Sequence, residues 1–529
     1  MPTLKIDGRE VTVEPGTRIM EAADRLGIPI PRFCYHPGLS VAANCRMCLV
    51  ETNKSPKLVP SCYDLCQDGM EVQTRSERVR AAQKAVLEFI LLHHPVDCPI
   101  CDQAGECDLQ DQYFQYDYQP SRHAFRKQHK PKARILGPQI IYDAERCINC
   151  TRCVRFCDEV AKAPQLRQVH RGERTYIDVF PGRELDHPYS MCTADVCPVG
   201  ALTTRDFRFK CRVWFLHGTP SVCAECSRGC SVRVDTYKNK IQRVVPRHNP
   251  LVNHYWACDA GRLAYHRFEA DRAVHAMSRG RAVDYPEAVQ GFADAIGTGP
   301  VQVVLSPFMT CEDAVAAVEV FRALTSATFF LGGRPDGDSD EVLIRADKNP
   351  NRRGLQMVLQ GFGVSAEPLT ALSQDARLLV VFGDENLEQP AVQTAAGSAS
   401  SLVVFSALAG PVLESATFGF PITTPYESDG TYVNEFGVLQ RVRPAVSAPG
   451  EARGAWRVLL DVAEAKRIAL PARTAAGLFE SAANRIATWA GLSYLDLGEF
   501  GVDLNARAAK PGEAGESARG AAASGDSNR

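Results

Sequence analysis

The sequence predicts a multidomain chain, α+β in its first half and α/β in its second. Three observations carry this. The chain has 529 residues, too many for one hydrophobic core. Nineteen of its 20 cysteines lie before residue 259, in closely spaced groups. After 275, short apolar runs alternate with helical or loop segments, the pattern of a layered α/β domain.

Composition excludes some classes. The 60 Lys and Arg nearly cancel the 62 Asp and Glu, which argues against binding nucleic acid or anionic lipid through bulk charge. Charged and polar residues interrupt every apolar run before it reaches transmembrane length. No basic segment followed by an apolar one opens the chain, so no signal peptide is expected. A role at a membrane would then depend on partners. Without an export signal, disulfides are a weak reading of the cysteines, and many are separated by the two residues common between metal ligands.

Residues 4–13 alternate apolar and polar around Asp7-Gly8, a hairpin signal. Thr17 reads as the N-cap of a helix with Ile19, Ala22, Ala23 and Leu26 on one face. A hairpin followed by a helix suits a β-grasp ferredoxin. A second helix is expected over 76–93, capped by Ser76, with Val79, Ala82, Val86 and Ile90 inward and Pro95 as its stop. The polar stretch 119–134 reads as a linker or extended crossing segment. Val301–Leu305, Ala327–Leu331, Leu378–Phe382 and Leu402–Phe405 read as strands. From about 508 the chain has almost no large apolar residue and is expected to be disordered.

Four ligand sets emerge. Cys34, Cys45, Cys48 and Cys62 are spaced C-x10-C-x2-C-x13-C. Four thiolates can hold a 2Fe–2S cluster, two on each iron; by itself this set leaves zinc open. His94, Cys98, Cys101 and Cys107 follow as H-x3-C-x2-C-x5-C, with Cys101 to Gly105 as a tight loop that returns Cys107. Ligation outweighs a solvated surface histidine because three cysteines lack a fourth partner; His93 is the rival. Cys147, Cys150 and Cys153 are spaced C-x2-C-x2-C, with Cys197-Pro198 downstream, half of a bacterial-type ferredoxin pattern. Residues 140–200 hold six cysteines, too few for two clusters, so one 4Fe–4S cluster on Cys147, Cys150, Cys153 and Cys197 is expected. Arg146, Arg152 and Arg155 interleave them, as charge partners or as a solvated basic face. Cys223, Cys226, Cys230 and Cys258 form the last set, C-x2-C-x3-C-x27-C. Cys66, Cys157, Cys192, Cys211 and Cys311 remain, read as buried small hydrophobes.

The order of these sets, the H-x3-C-x2-C-x5-C box, the run Cys147–Cys153 and Cys197-Pro198-Val199-Gly200-Ala201-Leu202 resemble the large iron–sulfur subunit of respiratory NADH–quinone oxidoreductase, complex I. The fourth set is similar to an extra cluster of some bacterial members and to the first cluster of molybdenum oxidoreductases. Glu427–Asn434 resembles a segment of the molybdopterin-oxidoreductase fold. The resemblance implies a 2Fe–2S ferredoxin-type domain over 1–78, a His/Cys3 4Fe–4S domain over 79–118 and a 4Fe–4S ferredoxin-like domain over 138–217. A 4Fe–4S domain of molybdopterin-oxidoreductase type would span 218–274, a shortened α/β domain of that fold 275–470, and a C-terminal extension 471–529.

The implied role is electron transfer: one 2Fe–2S and three 4Fe–4S clusters, no molybdopterin and no catalytic residue. Electrons would come from a flavin- and NADH-binding subunit and leave toward a ferredoxin-like subunit near quinone. The first three clusters would carry them, with the fourth off the main path. The place would be peripheral, at the cytoplasmic face of the plasma membrane. Cys157 and Cys192 depart from many relatives. Other classes are an electron-input subunit of an NAD-linked hydrogenase or formate dehydrogenase, a molybdenum or tungsten formate dehydrogenase itself, and a zinc-stapled scaffold. A catalytic molybdenum enzyme would need a Cys or Ser on the metal. Cys311 is expected to begin a helix away from it, and no motif surrounds Ser326 or Ser339.

Overall fold

The computed structural model describes residues 1–117, 120–297, 299–470 and 472–509. Two compact units form, one over Met1–Leu216 and one from His217 onward.

The first unit opens with a five-stranded sheet. Thr3–Ile6 pairs antiparallel with Arg9–Thr12, and Asp7 and Gly8 both turn at positive φ (47° and 81°), the twist a two-residue hairpin needs. Glu71–Gln73 pairs parallel with Thr3–Ile6 and antiparallel with Leu49–Thr52, which pairs in turn with Ser55–Pro60. The helix Ile19–Arg25 buries Ile19, Met20, Ala22 and Ala23 against Leu4, Ile6, Val50 and Val72. This is the β-grasp arrangement. The cap differs from the expectation. Arg18 is the N-cap, because the Glu21 carboxylate reaches back to the Arg18 N–H at 3.0 Å; Thr17 instead donates its hydroxyl to Glu14 O at 2.8 Å.

The second helix spans Glu77–Leu91, capped by Ser76 Oγ, which accepts from Val79 N at 3.3 Å. Its buried line is Val79, Gln83 and Leu87, not Val79, Ala82, Val86 and Ile90. The true face is rotated by about one residue, and Val86 and Ile90 line a cavity instead. Next, Arg134–Ile135, Ile140–Tyr142 and Leu202–Thr204 form a small antiparallel sheet. Helices Arg152–Glu159 and Cys192–Asp195 lie between the last two strands in the chain.

The second unit begins with an antiparallel sheet of His217–Val222, Ser231–Tyr237 and Lys240–Pro246. An eight-stranded sheet follows. Six of its strands run parallel, in the order Phe418–Pro421, Leu402–Ser406, Leu378–Phe382, Val301–Leu305, Ala327–Leu331, Ala366–Glu367. Helices cover both faces, which is why Leu378–Phe382 is apolar and buried at every position. Residues 472–509, expected as an extension, pack into this core. The helix Ala475–Ala483 buries Leu478 and Phe479, and Trp489 stacks on Phe479 at 5.5 Å, fully buried. Val502–Asp503 adds a strand to Val438–Val442. The tail expected to be disordered lies outside the described residues from 510 onward.

Candidate metal centres

The strand pair Leu49–Thr52 and Ser55–Pro60 sets Cys48 beside Cys62, since Leu49 pairs with Pro60 and both Ser61 donors bind Cys48 O. Positive φ at Ala43 and Arg46 bends the intervening loop around Cys45. The Cys34 thiol lies within hydrogen-bonding reach of Cys45 and Cys62, and Cys48 reaches Cys62. Hydrogen bonds from its neighbours hold Cys34 down, to about 2, while Cys45 and Cys62 are pushed up as their donors. One thiolate among thiols is what a metal-free cage of four sulfurs becomes; a metal would ionise them all.

At the second set, His94, Cys98 and Cys107 line one cavity of about 440 Å³ with Leu91, Leu109 and Lys127. Ala104 N donates to Cys101 O and Gly105 takes φ 92°, so the 101–105 loop turns back as expected. The Cys101 Sγ sits against Gly200, where a Cβ would come within 2.2 Å. Burial holds His94 near 4, and Val96 N donates to its Nδ1 at 3.1 Å. His93 does not line this cavity: its ring meets His123 edge-on at 5.9 Å, and its Nδ1 accepts from Gln128 N.

The third set folds around alternating left-handed residues, Asn149 (φ 54°) and Thr151 (φ 63°), before the helix Arg152–Glu159. Tyr142 brings its hydroxyl within reach of Cys147. Burial raises Cys153, and the neighbouring sulfurs of Cys150, Cys147 and Cys197 raise it further. Cys157 acts on Cys153 more weakly; its Sγ lies 3.5 Å from His187 Nε2.

At the fourth set, Cys223 N donates to Cys230 O at 2.8 Å, and Cys258 caps the helix Asp259–Leu263 through Gly261 N. All four cysteines are buried, and a Cβ on Gly261 would stand 2.8 Å from Cys223 Sγ. Between Cys223 and Cys226, Glu225 is clamped by Arg267 (2.8 Å) and Arg334 (3.0 Å).

The arginines of the third set are not a solvated face. Arg146 is nearly buried and bidentate on Asp97, next to Cys98. Arg152 donates to Val196 O and Tyr35 O. Arg155 donates to Cys34 O, Ser40 O and Cys150 O. Of the remaining cysteines, Cys66, Cys157, Cys192 and Cys311 are buried as expected, while Cys211 is only half-buried. Cys311 does begin the helix Cys311–Leu324, behind the Thr310 cap. Gly200, Gly261, Tyr142 and Lys127 were missed; only Gly200, inside the Cys-Pro-Val-Gly run, left a sequence signal.

Among the described residues, no three His, Cys, Asp or Glu side chains are grouped to hold a single metal ion. The donor chemistry suits iron–sulfur clusters instead: thiols in sets of four, buried too deeply to ionise alone, with an imidazole replacing one of them.

Five family models match the chain. They are a 2Fe–2S iron–sulfur cluster binding domain (1–77), the NADH-ubiquinone oxidoreductase-G iron–sulfur binding region (83–122) and the ferredoxin-like domain of NADH-quinone oxidoreductase subunit 3 (137–203). The others are the molybdopterin oxidoreductase Fe4S4 domain (216–269) and molybdopterin oxidoreductase (378–465). The NADH-quinone oxidoreductase G subunit of Rickettsia bellii (strain RML369-C) is 40% identical over 300 residues, 56% of this chain and 44% of that protein. The NADH-ubiquinone oxidoreductase 75 kDa subunit of Reclinomonas americana is 34% identical over 410 residues, 74% of this chain and 58% of that protein. A solved NAD+-reducing [NiFe]-hydrogenase chain aligns at 29% identity and TM-score 0.36, covering 40% of this chain and 91% of that one. The chain spans about half the length of the curated relatives it matches. The domain order defines a multidomain iron–sulfur protein with 2Fe–2S and 4Fe–4S binding domains. Within that class, the chain is a homologue of the NADH-quinone oxidoreductase G subunit, the 75–78 kDa subunit of its mitochondrial counterparts.

Proposed function

We propose that this chain is an electron-transfer subunit of proton-pumping NADH–quinone oxidoreductase, relaying electrons from the flavin and NADH subunit toward quinone. The observation that carries this reading is the second set: His94, Cys98 and Cys107 around one cavity, within the segment matched by the oxidoreductase-G iron–sulfur model. The domain boundaries follow the sequence reading through 470, with 472–509 assigned to the α/β domain.

Cys34, Cys45, Cys48 and Cys62 would hold a 2Fe–2S cluster. His94 with Cys98, Cys101 and Cys107, then Cys147, Cys150, Cys153 and Cys197, then Cys223, Cys226, Cys230 and Cys258 would each hold a 4Fe–4S cluster. Bound clusters supply one-electron redox chemistry. The chain's own residues supply the frame. Arg155 ties the loops of the first and third sets through Cys34 O and Cys150 O, and Gly200 lets the third set's loop reach Cys101 of the second. Binding iron through His94 Nε2 puts the proton of a neutral ring on Nδ1, so the Val96 contact must open or the ring must bind as imidazolate.

The α/β domain is assigned no molybdopterin and no catalytic residue; its role would be to cover the fourth centre and offer surface to partners. Those partners would be the flavin subunit and a ferredoxin-like subunit on the quinone side, at the cytoplasmic face of the membrane. Among the described residues, no helix is long and apolar enough to cross a membrane.

Iron analysis of anaerobically purified protein tests the assignment. One 2Fe–2S and three 4Fe–4S clusters require about 14 iron atoms per chain. Zinc in their place, or about ten irons, overturns it. Hydrogen- or formate-dependent NAD reduction by the native complex, without NADH-dependent quinone reduction, would favour the hydrogenase or formate dehydrogenase reading.

A further inference from the structure

The helix Glu77–Leu91 ends at the second centre without a basic residue in its last turn. Its terminal carbonyls carry the negative end of the helix dipole and need donors. Lys127, from the irregular segment before Arg134, supplies them. Its Nζ donates to Leu91 O (2.9 Å), Leu92 O (3.3 Å) and His94 O (2.6 Å). An ammonium has three donors, and three carbonyls take them. The same side chain lines the cavity of His94, Cys98 and Cys107. Among the described residues no carboxylate pairs with Lys127, so its charge faces the cavity uncancelled.

We propose that Lys127 is a positioning residue for the second metal centre: it fixes the backbone of His94 and sets a positive charge beside the cluster site, favouring the reduced state. This rests on the proposed iron–sulfur reading. A cation near a redox centre stabilises the added electron and raises its potential. The lysine therefore acts twice, through geometry on His94 and through its field on the centre. The histidine places a neutral ligand in the first ring of donors, and Lys127 adds to that effect from the second.

The test is an EPR-monitored redox titration of the full chain, wild type against Lys127→Met and Lys127→Arg, with iron counted in each. Lys127→Met at full iron content should show the second centre's midpoint displaced to a more negative potential, and Lys127→Arg should stay near wild type. A wild-type midpoint in an iron-replete Lys127→Met overturns the proposal. If the Met variant fails to assemble the centre, Lys127→Gln, neutral but still a donor, is titrated to the same standard. If neither neutral variant assembles while Arg does, the need for a cation is supported; failure of Arg as well overturns it, since the need is then for shape and not charge. Wild-type protein lacking iron at this centre would instead sink the proposed function, which keeps the two failures distinct.

Discussion

The Arg155 guanidinium joins Cys34 and Cys150: its Nη2 donates to Cys34 O at 2.5 Å and to Cys150 O at 3.5 Å. Two ligand loops 116 residues apart thus share one side chain. Arg155→Leu leaves these carbonyls and Ser40 O without their donor, a loss of about 1–3 kcal/mol for each acceptor that stays dry. Calorimetry of the full chain should show a lower first transition, and Arg155→Lys should restore only part of it, because one ammonium cannot copy the planar fork. An unshifted transition in Arg155→Leu would show that the bridge adds nothing to stability.

Gly200→Ala is expected to disrupt the second centre alone. The new methyl would sit 2.2 Å from Cys101 Sγ, so the sulfur or the loop must move. Iron should fall by about four atoms per chain, one 4Fe–4S cluster, with the 2Fe–2S signal kept. Full iron content in this variant would show that Cys101 is not a ligand.

His94→Cys should keep the cluster and lower its potential, because a charged thiolate replaces a neutral ring. His93→Ala should leave the midpoint unchanged, since His93 faces His123 and Gln128. The reverse pattern would transfer the ligand role to His93.

His187 gives a pH dependence with a defined sign. Burial lowers its pKa to about 4, while an unfolded histidine titrates near 6.5. Protons therefore bind the unfolded chain first, and stability falls as pH drops from about 6.5 toward 4, by up to about 3 kcal/mol. Below 4 this contribution is spent. His187→Gln should flatten that window in urea titrations of iron-loaded protein, where iron on His94 suppresses a parallel slope. An equal slope in variant and wild type would rule His187 out as its source.

Cys157 and Cys192 are expected to be dispensable for assembly. Both are fully buried, and Cys157 turns its sulfur toward His187. Replacing both with Ala should preserve the third centre's EPR signal at a modest packing cost. Losing that signal would make one of them a ligand.

The sequence showed the ligand sets because most of their members lie within one turn or loop of each other, and the strands of the α/β sheet because they are apolar throughout. It could not show what comes from far away in the chain. Lys127 meets His94, and Gly200 meets Cys101, across gaps of 33 and 99 residues. Two local readings slipped for physical reasons. Gln83 is buried on the helix Glu77–Leu91, so an apolar pattern placed the inward face about one residue off. Glu21 reaches back to Arg18, which moves the cap one residue beyond Thr17. The segment after 470 looked like an appendage because its anchors, Leu478, Phe479 and Trp489, are few among alanines.

That last segment bears on the order in which the protein can be made. The described part of the first unit ends at Leu216, so a nascent chain can complete it early. The second unit cannot close until its final residues leave the ribosome. Arg247 donates to Glu499 O and Asn249 to Phe500 O, and Asn249 also binds Ser231, the residue after Cys230. The walls of the fourth centre are therefore finished by some of the last residues synthesised. Metal delivered during translation would find the first three sites ready while the fourth still waits, and a premature stop near 470 should spare the first three and cost the fourth.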